Sequence, residues 1–215
     1  MNELLRRPHV WLPGTEQPPL LLLHGTGGDE HDLLGLRGQL AAGSPTLSPR
    51  GTVQEHGMNR FFRRFSEGVF DEDDLRARTD ELAAFLVAAE QEYGVRPGSW
   101  LAVGFSNGAN IAAALLLRHP AALTGAVLLA AVVPFRDEEP RDGALAGKNV
   151  AVVNGRQDPL ANPEQTTQLV DLLRREGADV QELPFPGGHT IDPRMLPRIR
   201  QFIDTHWGSP APQQR

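Results

Sequence analysis

Hydrophobic residues along the chain fall into short, nearly continuous runs of the kind that form buried strands. Six such runs begin at Leu20, Pro45, Trp100, Gly125, Asn149 and Ala178. Strands that are covered on both faces show this pattern, because neither of their sides meets water. The runs therefore predict a mostly parallel sheet with a buried centre.

Segments with helical periodicity lie between these runs. The clearest covers residues 70–94, where Asp71 can cap the first turn and apolar residues form a single stripe. Further helices are predicted at about 107–118, 163–176 and 192–206, and a weaker one at 31–41. Alternating strands and helices predict an open, doubly wound α/β sheet with helices on both faces.

Length and composition narrow the class of protein. The 215 residues suit one domain, which we place at 1–207, followed by a polar, proline-rich tail at 208–215. Asp and Glu number 27 against 21 Lys and Arg, and this net charge of -6 disfavours nucleic acid or an anionic membrane as a partner. The sequence has no cysteine, so any nucleophile must be oxygen or nitrogen.

Membrane and export signals are not evident in the sequence. No apolar run approaches the ~20 residues of a membrane helix. The N-terminal stretch lacks the apolar centre of a signal peptide. A cytoplasmic protein without membrane insertion is therefore expected.

The stretch GFSNGAN, residues 104–110, places Ser106 between a predicted strand and a predicted helix. Glycines stand two positions before and two after this serine, as in a sharp turn that presents a nucleophile. A serine hydroxyl needs a base to take its proton and an acid to orient that base. His189 in FPGGHT and Asp158 in NGRQDP each follow a later strand, in the chain order Ser, Asp, His. Ser106, Asp158 and His189 are therefore candidate catalytic residues.

Each candidate also has a simpler interpretation. A serine in a tight turn, a histidine in a solvated loop and an aspartate that forms a turn before proline would give the same letters. Asp192 is nearer to His189 in the sequence, but it is better placed to cap the last helix.

Acyl transfer also needs two hydrogen-bond donors for the oxyanion of its intermediate. The backbone N–H of Asn107 is one candidate, because this residue follows Ser106 and starts a helix. The stretch HGTGG, residues 24–28, follows an early strand, and its glycines allow N–H groups to turn inward. The N–H of Thr26 is therefore the second candidate donor.

Two clusters of polar residues could instead indicate metal sites. His24, Asp29 and His31 are potential ligands, but nothing fixes them on one helix face and no fourth ligand is suggested. The acidic run at 71–74 stands at a predicted helix start, where capping and the helix dipole explain it. We predict neither a metal nor a cofactor.

Residues 49–70 and 134–147 remain to form walls around the site. Neither segment is long enough for a separate cap domain, so we expect a shallow cleft and a small to medium substrate. Four phenylalanines and three arginines crowd into the first segment, namely Phe61, Phe62, Phe65, Phe70, Arg60, Arg63 and Arg64. One interpretation is an apolar wall with a basic group that could meet an anionic or aromatic substrate, with Phe61, Phe62, Phe65 and Arg63 as the candidate binding residues. The alternative is a loop pinned by its aromatic residues, with arginines in water or paired with the acidic run.

The motifs LLLHGTGGDE, LSPRG, GFSNGAN, NGRQDP and GGHT occur together and in one order. In this the chain resembles the carboxylesterase/phospholipase branch of the α/β-hydrolases, which includes acyl-protein thioesterases and lysophospholipases, over about residues 20–206. The resemblance implies the α/β-hydrolase fold and a cofactor-free site with the nucleophile, acid, base and oxyanion donors at Ser106, Asp158, His189, Thr26 and Asn107. The middle segment, 57–75, is similar to that of a bacterial subgroup linked to small esters or to aromatic and quinone metabolism.

A serine carboxylesterase that acts on a small-molecule ester is the activity that these features predict. An acyl thioesterase or lysophospholipase with the same triad is an alternative. A binding protein of the same fold, without turnover, is a third, and it would be expected to carry a damaged triad or oxyanion loop. Relatives are often dimeric, so a homodimer is also expected, although no apolar stripe identifies an interface.

Overall fold

The computed structural model describes residues 3–136 and 141–208. In chain order its strands are β1 (His9–Leu12), β2 (Leu20–Leu23), β3 (Thr46–Pro49), β4 (Val53–Glu55), β5 (Met58–Arg60), β6 (Arg64–Ser66), β7 (Val69–Phe70), β8 (Trp100–Phe105), β9 (Leu123–Leu129), β10 (Asn149–Val153) and β11 (Asp179–Glu182). The α-helices are α1 (Leu34–Leu40), α2 (Glu72–Tyr93), α3 (Asn107–Arg118), α4 (Pro163–Arg175) and α5 (Leu196–Trp207).

Seven of these strands form a central sheet in the order β1-β3-β2-β8-β9-β10-β11. Every neighbouring pair is parallel except β1 with β3, which is antiparallel. In the middle of the sheet Leu22 lies opposite Val103, and Val103 lies opposite Val127. The predicted mostly parallel sheet is therefore confirmed, with one antiparallel strand at its edge.

Helices cover both faces of the sheet. Leu21 and Leu23 of β2 belong to the same buried cluster as residues of α2, α3 and α4. The alternate residues Leu20 and Leu22 pack instead with residues of α1 and α5. Successive side chains of a strand point to opposite faces, so the continuous apolar run of β2 is explained by burial on both sides. This arrangement confirms the doubly wound α/β architecture.

The acidic run at 71–74 starts α2, as expected from its sequence. The Asp71 side chain is the N-cap and accepts a hydrogen bond from the Asp74 N–H at 3.1 Å. The Asp74 carboxylate accepts a hydrogen bond from the Arg63 N–H at 2.8 Å and pairs with Arg78 at 3.2 Å. The run therefore fixes the segment before α2 to the helix start.

Several elements differ from the predictions. Strand β1 and the two hairpins, β4–β5 and β6–β7, were not predicted. Helix α1 begins at Leu34 rather than at residue 31, and a 3-10 helix, Pro193–Met195, precedes α5. Asp192 caps this 3-10 helix by accepting a hydrogen bond from the Arg194 N–H, whereas the N-cap of α5 itself is Met195; the predicted cap therefore acts one short helix earlier. Of the predicted tail at 208–215, all residues after Gly208 lie outside the described residues.

Candidate active site

Ser106, Asp158 and His189 meet at the carboxyl edge of the parallel strands. Ser106 follows β8 directly, Asp158 lies in the loop after β10, and His189 lies in the loop after β11. The Ser106 Oγ atom is 2.8 Å from His189 Nε2, and His189 Nδ1 is 2.8 Å from Asp158 Oδ2. Reactive groups of open α/β sheets collect at this edge, because the loops there converge on one crevice.

The surroundings of Asp158 set the tautomer of His189. Asp158 is buried, and its Oδ1 atom accepts hydrogen bonds from the N–H groups of Leu160 at 2.8 Å and Ala161 at 3.1 Å. An ionised carboxylate can only accept, so the proton between Asp158 and His189 is carried by Nδ1. Nε2 is then free to accept the hydrogen of the Ser106 hydroxyl.

The backbone of Ser106 is strained. Its φ of 53° and ψ of -114° lie outside the regions that a residue with a side chain normally adopts. The Ser106 N–H donates to the Leu129 carbonyl at 2.8 Å, and its own carbonyl accepts from the Asn110 N–H at 2.9 Å. Strained residues of this kind cluster at functional sites, where the surrounding structure holds them in place.

Both glycines around Ser106 are required by close backbone contacts. A Cβ atom on Gly104 would lie 2.5 Å from the carbonyl oxygen of Gly108. On Gly108 it would lie 2.5 Å from the carbonyl oxygen of His24, and still closer to that of Leu23. The GxSxG pattern therefore allows α3 to begin directly against the loop that follows β2.

Gly108→Ala is expected to lower the free energy of unfolding by about 1–3 kcal/mol, because a methyl group has no space between α3 and this loop. Urea denaturation of the two proteins would measure the change. Gly38→Ala is the matched control, since a Cβ on this residue of α1 meets nothing within 4 Å. The control should be stabilised by about 0.5–1 kcal/mol, as expected for alanine in a helix. An unchanged stability of Gly108→Ala would contradict the role of the close contact.

The two predicted oxyanion donors border the same cleft as Ser106. Thr26 lies in the loop after β2, Asn107 is the first residue of α3, and both line the cleft together with Ser106 and His189. Within residues 3–136 and 141–208, the backbone N–H groups of Thr26 and Asn107 donate to no other protein atom. Two unoccupied donors therefore border the cleft on the side of the serine.

The four residues that were predicted to bind substrate lie outside this cleft. Phe61 and Phe62 are fully buried in the apolar cluster that they share with residues of β2, α2 and α3. Phe65 is 75% exposed, and Arg63 points into solvent while pairing with Asp71 at 3.1 Å. The structure thus corrects the assignment of these four residues to substrate binding, and the buried rings and the Arg63–Asp71 pair agree with the pinned-loop alternative.

Other residues of the same segment line the cleft, namely Arg60, Arg64 and Phe70. They belong to the run of aromatic residues and arginines considered from the sequence, but they were not among the four candidate binding residues, because the hairpins β4–β5 and β6–β7 were not predicted. The turn of hairpin β4–β5 is formed by His56 and Gly57, whose φ values are 51° and 80°, and Gly57 is its signal in the sequence. Two consecutive residues with positive φ are typical of a tight two-residue hairpin.

The cleft beside Ser106 is small, about 50 Å³. It adjoins a wider groove of about 1250 Å³, and the two share Gly68, Phe70 and Val132 in their walls. Arg60 and Arg64 pair with Glu55 at 3.4 and 3.2 Å, and Arg64 also pairs with Glu67 at 2.5 Å. Charges on this wall are therefore balanced within the protein.

The residues considered as metal ligands already have other partners within the protein. His24 is buried, its Nε2 accepts from the Gly51 N–H at 2.9 Å, and its Nδ1 lies 2.7 Å from the Gly25 carbonyl oxygen. Burial lowers the pKa of His24, in accord with a neutral ring that donates from Nδ1 and accepts at Nε2. Among the described residues, Asp29, Glu30 and His31 do come together, but the Glu30 carboxylate is already paired with Arg50.

Comparison with known proteins places the chain in a family. Residues 13–207 match the phospholipase/carboxylesterase family. MhqD of Bacillus subtilis (strain 168) is 43% identical over 194 residues, which cover 90% of this chain and 96% of MhqD.

Two solved structures share the fold over most of both chains. The Bacillus cereus carboxylesterase has a TM-score of 0.90 at 40% identity, covering 95% of this chain and 100% of that one. A Mesorhizobium loti carboxylesterase has a TM-score of 0.82 at 32% identity, covering 88% and 90% of the two chains. The chain is therefore a hydrolase with the α/β-hydrolase fold, and it belongs to the phospholipase/carboxylesterase family.

Proposed function

We propose that the protein is a serine carboxylesterase that cleaves small to medium esters through a Ser106–His189–Asp158 triad. The observation that carries the proposal is the pair of 2.8 Å contacts that joins Ser106 to His189 and His189 to Asp158. A hydroxyl, an imidazole and a buried carboxylate in this order form the unit that activates serine in acyl transfer.

In the proposed reaction, His189 Nε2 takes the hydroxyl proton while Ser106 Oγ attacks the ester carbonyl carbon. The oxyanion of the tetrahedral intermediate accepts hydrogen bonds from the N–H groups of Thr26 and Asn107. His189 then gives its proton to the leaving alcohol, and an acyl group remains on Ser106. Water, deprotonated by the same imidazole, releases the acid and restores the serine. The steps require no cofactor or metal.

The size of the cleft supports a short group on the acyl side. A volume of about 50 Å³ beside Ser106 holds a small acyl chain, whereas the adjoining groove offers more room for the rest of the ester. We therefore propose a preference for esters with a short acyl chain, with the acyl chain in the cleft and the rest of the ester in the groove. A thioester or lysophospholipid would use the same triad, so substrate profiles must separate the alternatives.

Labelling with a fluorophosphonate, followed by peptide mass spectrometry, tests the nucleophile directly. We expect one adduct on Ser106 and a parallel loss of ester hydrolysis. A second experiment compares kcat/KM for p-nitrophenyl esters from acetate to decanoate, acyl thioesters and lysophospholipids. We expect the highest values for the short esters. Binding of these compounds without any turnover would instead favour the non-catalytic alternative.

Two further expectations are part of the proposal. We infer that the protein acts in the cytoplasm, and that it forms a homodimer, as is often found in the family that it resembles. In the described part of the chain, no helix has the length and hydrophobicity needed to cross a membrane. Cell fractionation and size-exclusion chromatography with light scattering would test the location and the oligomeric state.

A further inference from the structure

Three consecutive residues at the end of hairpin β4–β5 contact the two elements that carry the oxyanion donors. Asn59 and Arg60 reach the loop after β2, and Phe61 reaches the start of α3. We call residues 59–61 the brace. The brace therefore connects two segments that are far apart in sequence and that must stand in a fixed relation around Ser106.

The brace holds the loop after β2 at three successive positions. The Gly27 N–H donates to the Asn59 carbonyl at 2.9 Å, and the Asn59 side-chain amide donates to the Gly28 carbonyl at 2.8 Å. Arg60 Nη1 donates to the Thr26 Oγ1 atom at 2.7 Å. This last bond acts on the residue whose own N–H is the proposed donor.

Arg60 is buried although it carries a charge. Its side chain is 3% exposed, and burial lowers the pKa of its guanidinium. Besides the bond to Thr26, its Nε donates to the Phe62 carbonyl at 3.1 Å, and Glu55 lies 3.4 Å from Nη1. A buried guanidinium with fixed partners has little freedom to move, so it gives the exposed Thr26 a rigid anchor.

The other end of the brace fixes Asn107. The Phe61 N–H donates to Asn107 Oδ1 at 2.7 Å, and the Phe61 ring is fully buried. The Asn107 Nδ2 atom is itself buried without a partner in the described structure. Burial of an amide nitrogen without a partner is unfavourable, so the bond from the Phe61 N–H to Oδ1 is the interaction that fixes this side chain.

We infer that the brace sets the distance between the two oxyanion donors, and that Arg60 is a positioning residue that acts through the Thr26 hydroxyl. The inference rests on the proposed function, because it assumes that the N–H groups of Thr26 and Asn107 bind the oxyanion. Within the segment rich in arginine and phenylalanine, the role of the brace is therefore to position the oxyanion donors rather than to form a wall for the substrate. Charge stabilisation in a transition state depends on donors that are already in place, so a displaced donor loses most of its effect.

A double-mutant cycle of Arg60→Gln and Thr26→Val tests the inference. Valine keeps the shape and the N–H of Thr26 but removes the oxygen that Arg60 binds. Loss of a whole oxyanion donor costs about 10²–10³ in kcat, so a displaced donor should lower kcat by about 10–100-fold in each single variant. KM should stay within about threefold of wild type, because the interaction is made in the transition state. The double variant should be no slower than the slower single variant.

An aryl trifluoromethyl ketone supplies a readout that general loss of structure would not reproduce. Ser106 adds to its carbonyl, and the resulting oxyanion occupies the same place as that of the intermediate. Its inhibition constant should rise by the same factor as kcat/KM falls, variant by variant. Arg60→Lys, which keeps one charged donor, should recover part of both losses.

Arg37→Gln is the matched control. Arg37 in α1 also donates to two backbone carbonyls, those of Ser44 and Pro13, both at 2.8 Å, and it lies outside the cleft. Its replacement should alter stability without changing kcat or the affinity for the ketone. If Arg60→Gln does not fold, Thr26→Val alone decides, since Thr26 is exposed and the change is isosteric.

The outcomes separate this inference from the proposed function. Wild-type kcat and ketone affinity in Thr26→Val and Arg60→Gln, with an inactive Ser106→Ala, would overturn the brace and leave the triad intact. Strictly additive losses would also overturn the action through Thr26. Full activity of Ser106→Ala would remove the proposed function and the brace together.

Discussion

Ser106→Ala is expected to lower kcat for ester hydrolysis by at least about a thousandfold, and loss of a triad nucleophile in another serine hydrolase has cost as much as about 10⁶. Alanine has no oxygen to attack the carbonyl, while the oxyanion donors and the cleft remain. Initial rates with p-nitrophenyl acetate and butyrate at matched enzyme concentration would measure the change. The variant should also lose its fluorophosphonate adduct.

The backbone should tolerate this substitution, because alanine occupies the same strained φ of 53° as serine does. Ser48→Ala is a suitable control: its hydroxyl is buried at the end of β3 and only approaches the Leu22 carbonyl oxygen at 3.5 Å. It should keep wild-type kcat. Rates of Ser106→Ala within a few-fold of wild type would show that another group is the nucleophile, and the triad assignment would fail.

Asp158→Asn is expected to lower kcat by about 10⁴, although the side chain keeps its shape. The Oδ1 position accepts from the N–H groups of Leu160 and Ala161, so the asparagine oxygen should stay there. The new NH₂ group would then face His189 Nδ1 and donate to it. His189 would be held with its proton on Nε2, where it can no longer accept the proton of Ser106.

Asp192→Asn provides the control for this prediction, because Asp192 is the acidic residue nearest to His189 in the sequence. Its carboxylate instead caps the 3-10 helix before α5 and pairs with Arg194 at 2.6 Å. Its replacement should change kcat by less than about threefold, since it does not contact the imidazole. A larger loss in Asp192→Asn than in Asp158→Asn would reverse the assignment of the acid. Stopped-flow acylation rates would show whether the defect lies in the attack by Ser106.

The elements that the sequence predicts well are those buried on both sides. Strands β2, β8, β9 and β10 are nearly continuous apolar runs, and α3 coincides with the predicted 107–118. The positions of Ser106, Asp158 and His189 also follow from sequence, because each stands just beyond a recognisable strand. What joins them in the structure is the parallel order of the strands, which brings loops from distant parts of the chain to one edge.

The elements that escape prediction are short or half-buried. Strand β1 is intermediate in burial at all four positions, so it lacks the continuous apolar signal of its neighbours. The hairpins β4–β5 and β6–β7 contain strands of only two or three residues, too short for any period to emerge. Sequence alone also could not distinguish the role of Arg60 from that of Arg63. The two arginines stand only three residues apart, yet Arg60 is buried within the brace and Arg63 forms a solvent-exposed ion pair.

The order of the proposed triad along the chain has a consequence for how activity would be acquired during synthesis. Ser106 and His189 are 83 residues apart, and the base comes from the loop after the last strand. In a nascent chain Ser106 is therefore made well before His189, the imidazole that we propose activates it. Non-local pairing of this kind is slow to form, so with this triad we expect the serine to stay unreactive until the sheet is complete. Hydrolysis of a chromogenic ester during refolding would accordingly report the moment at which β11 and α5 join the rest of the fold.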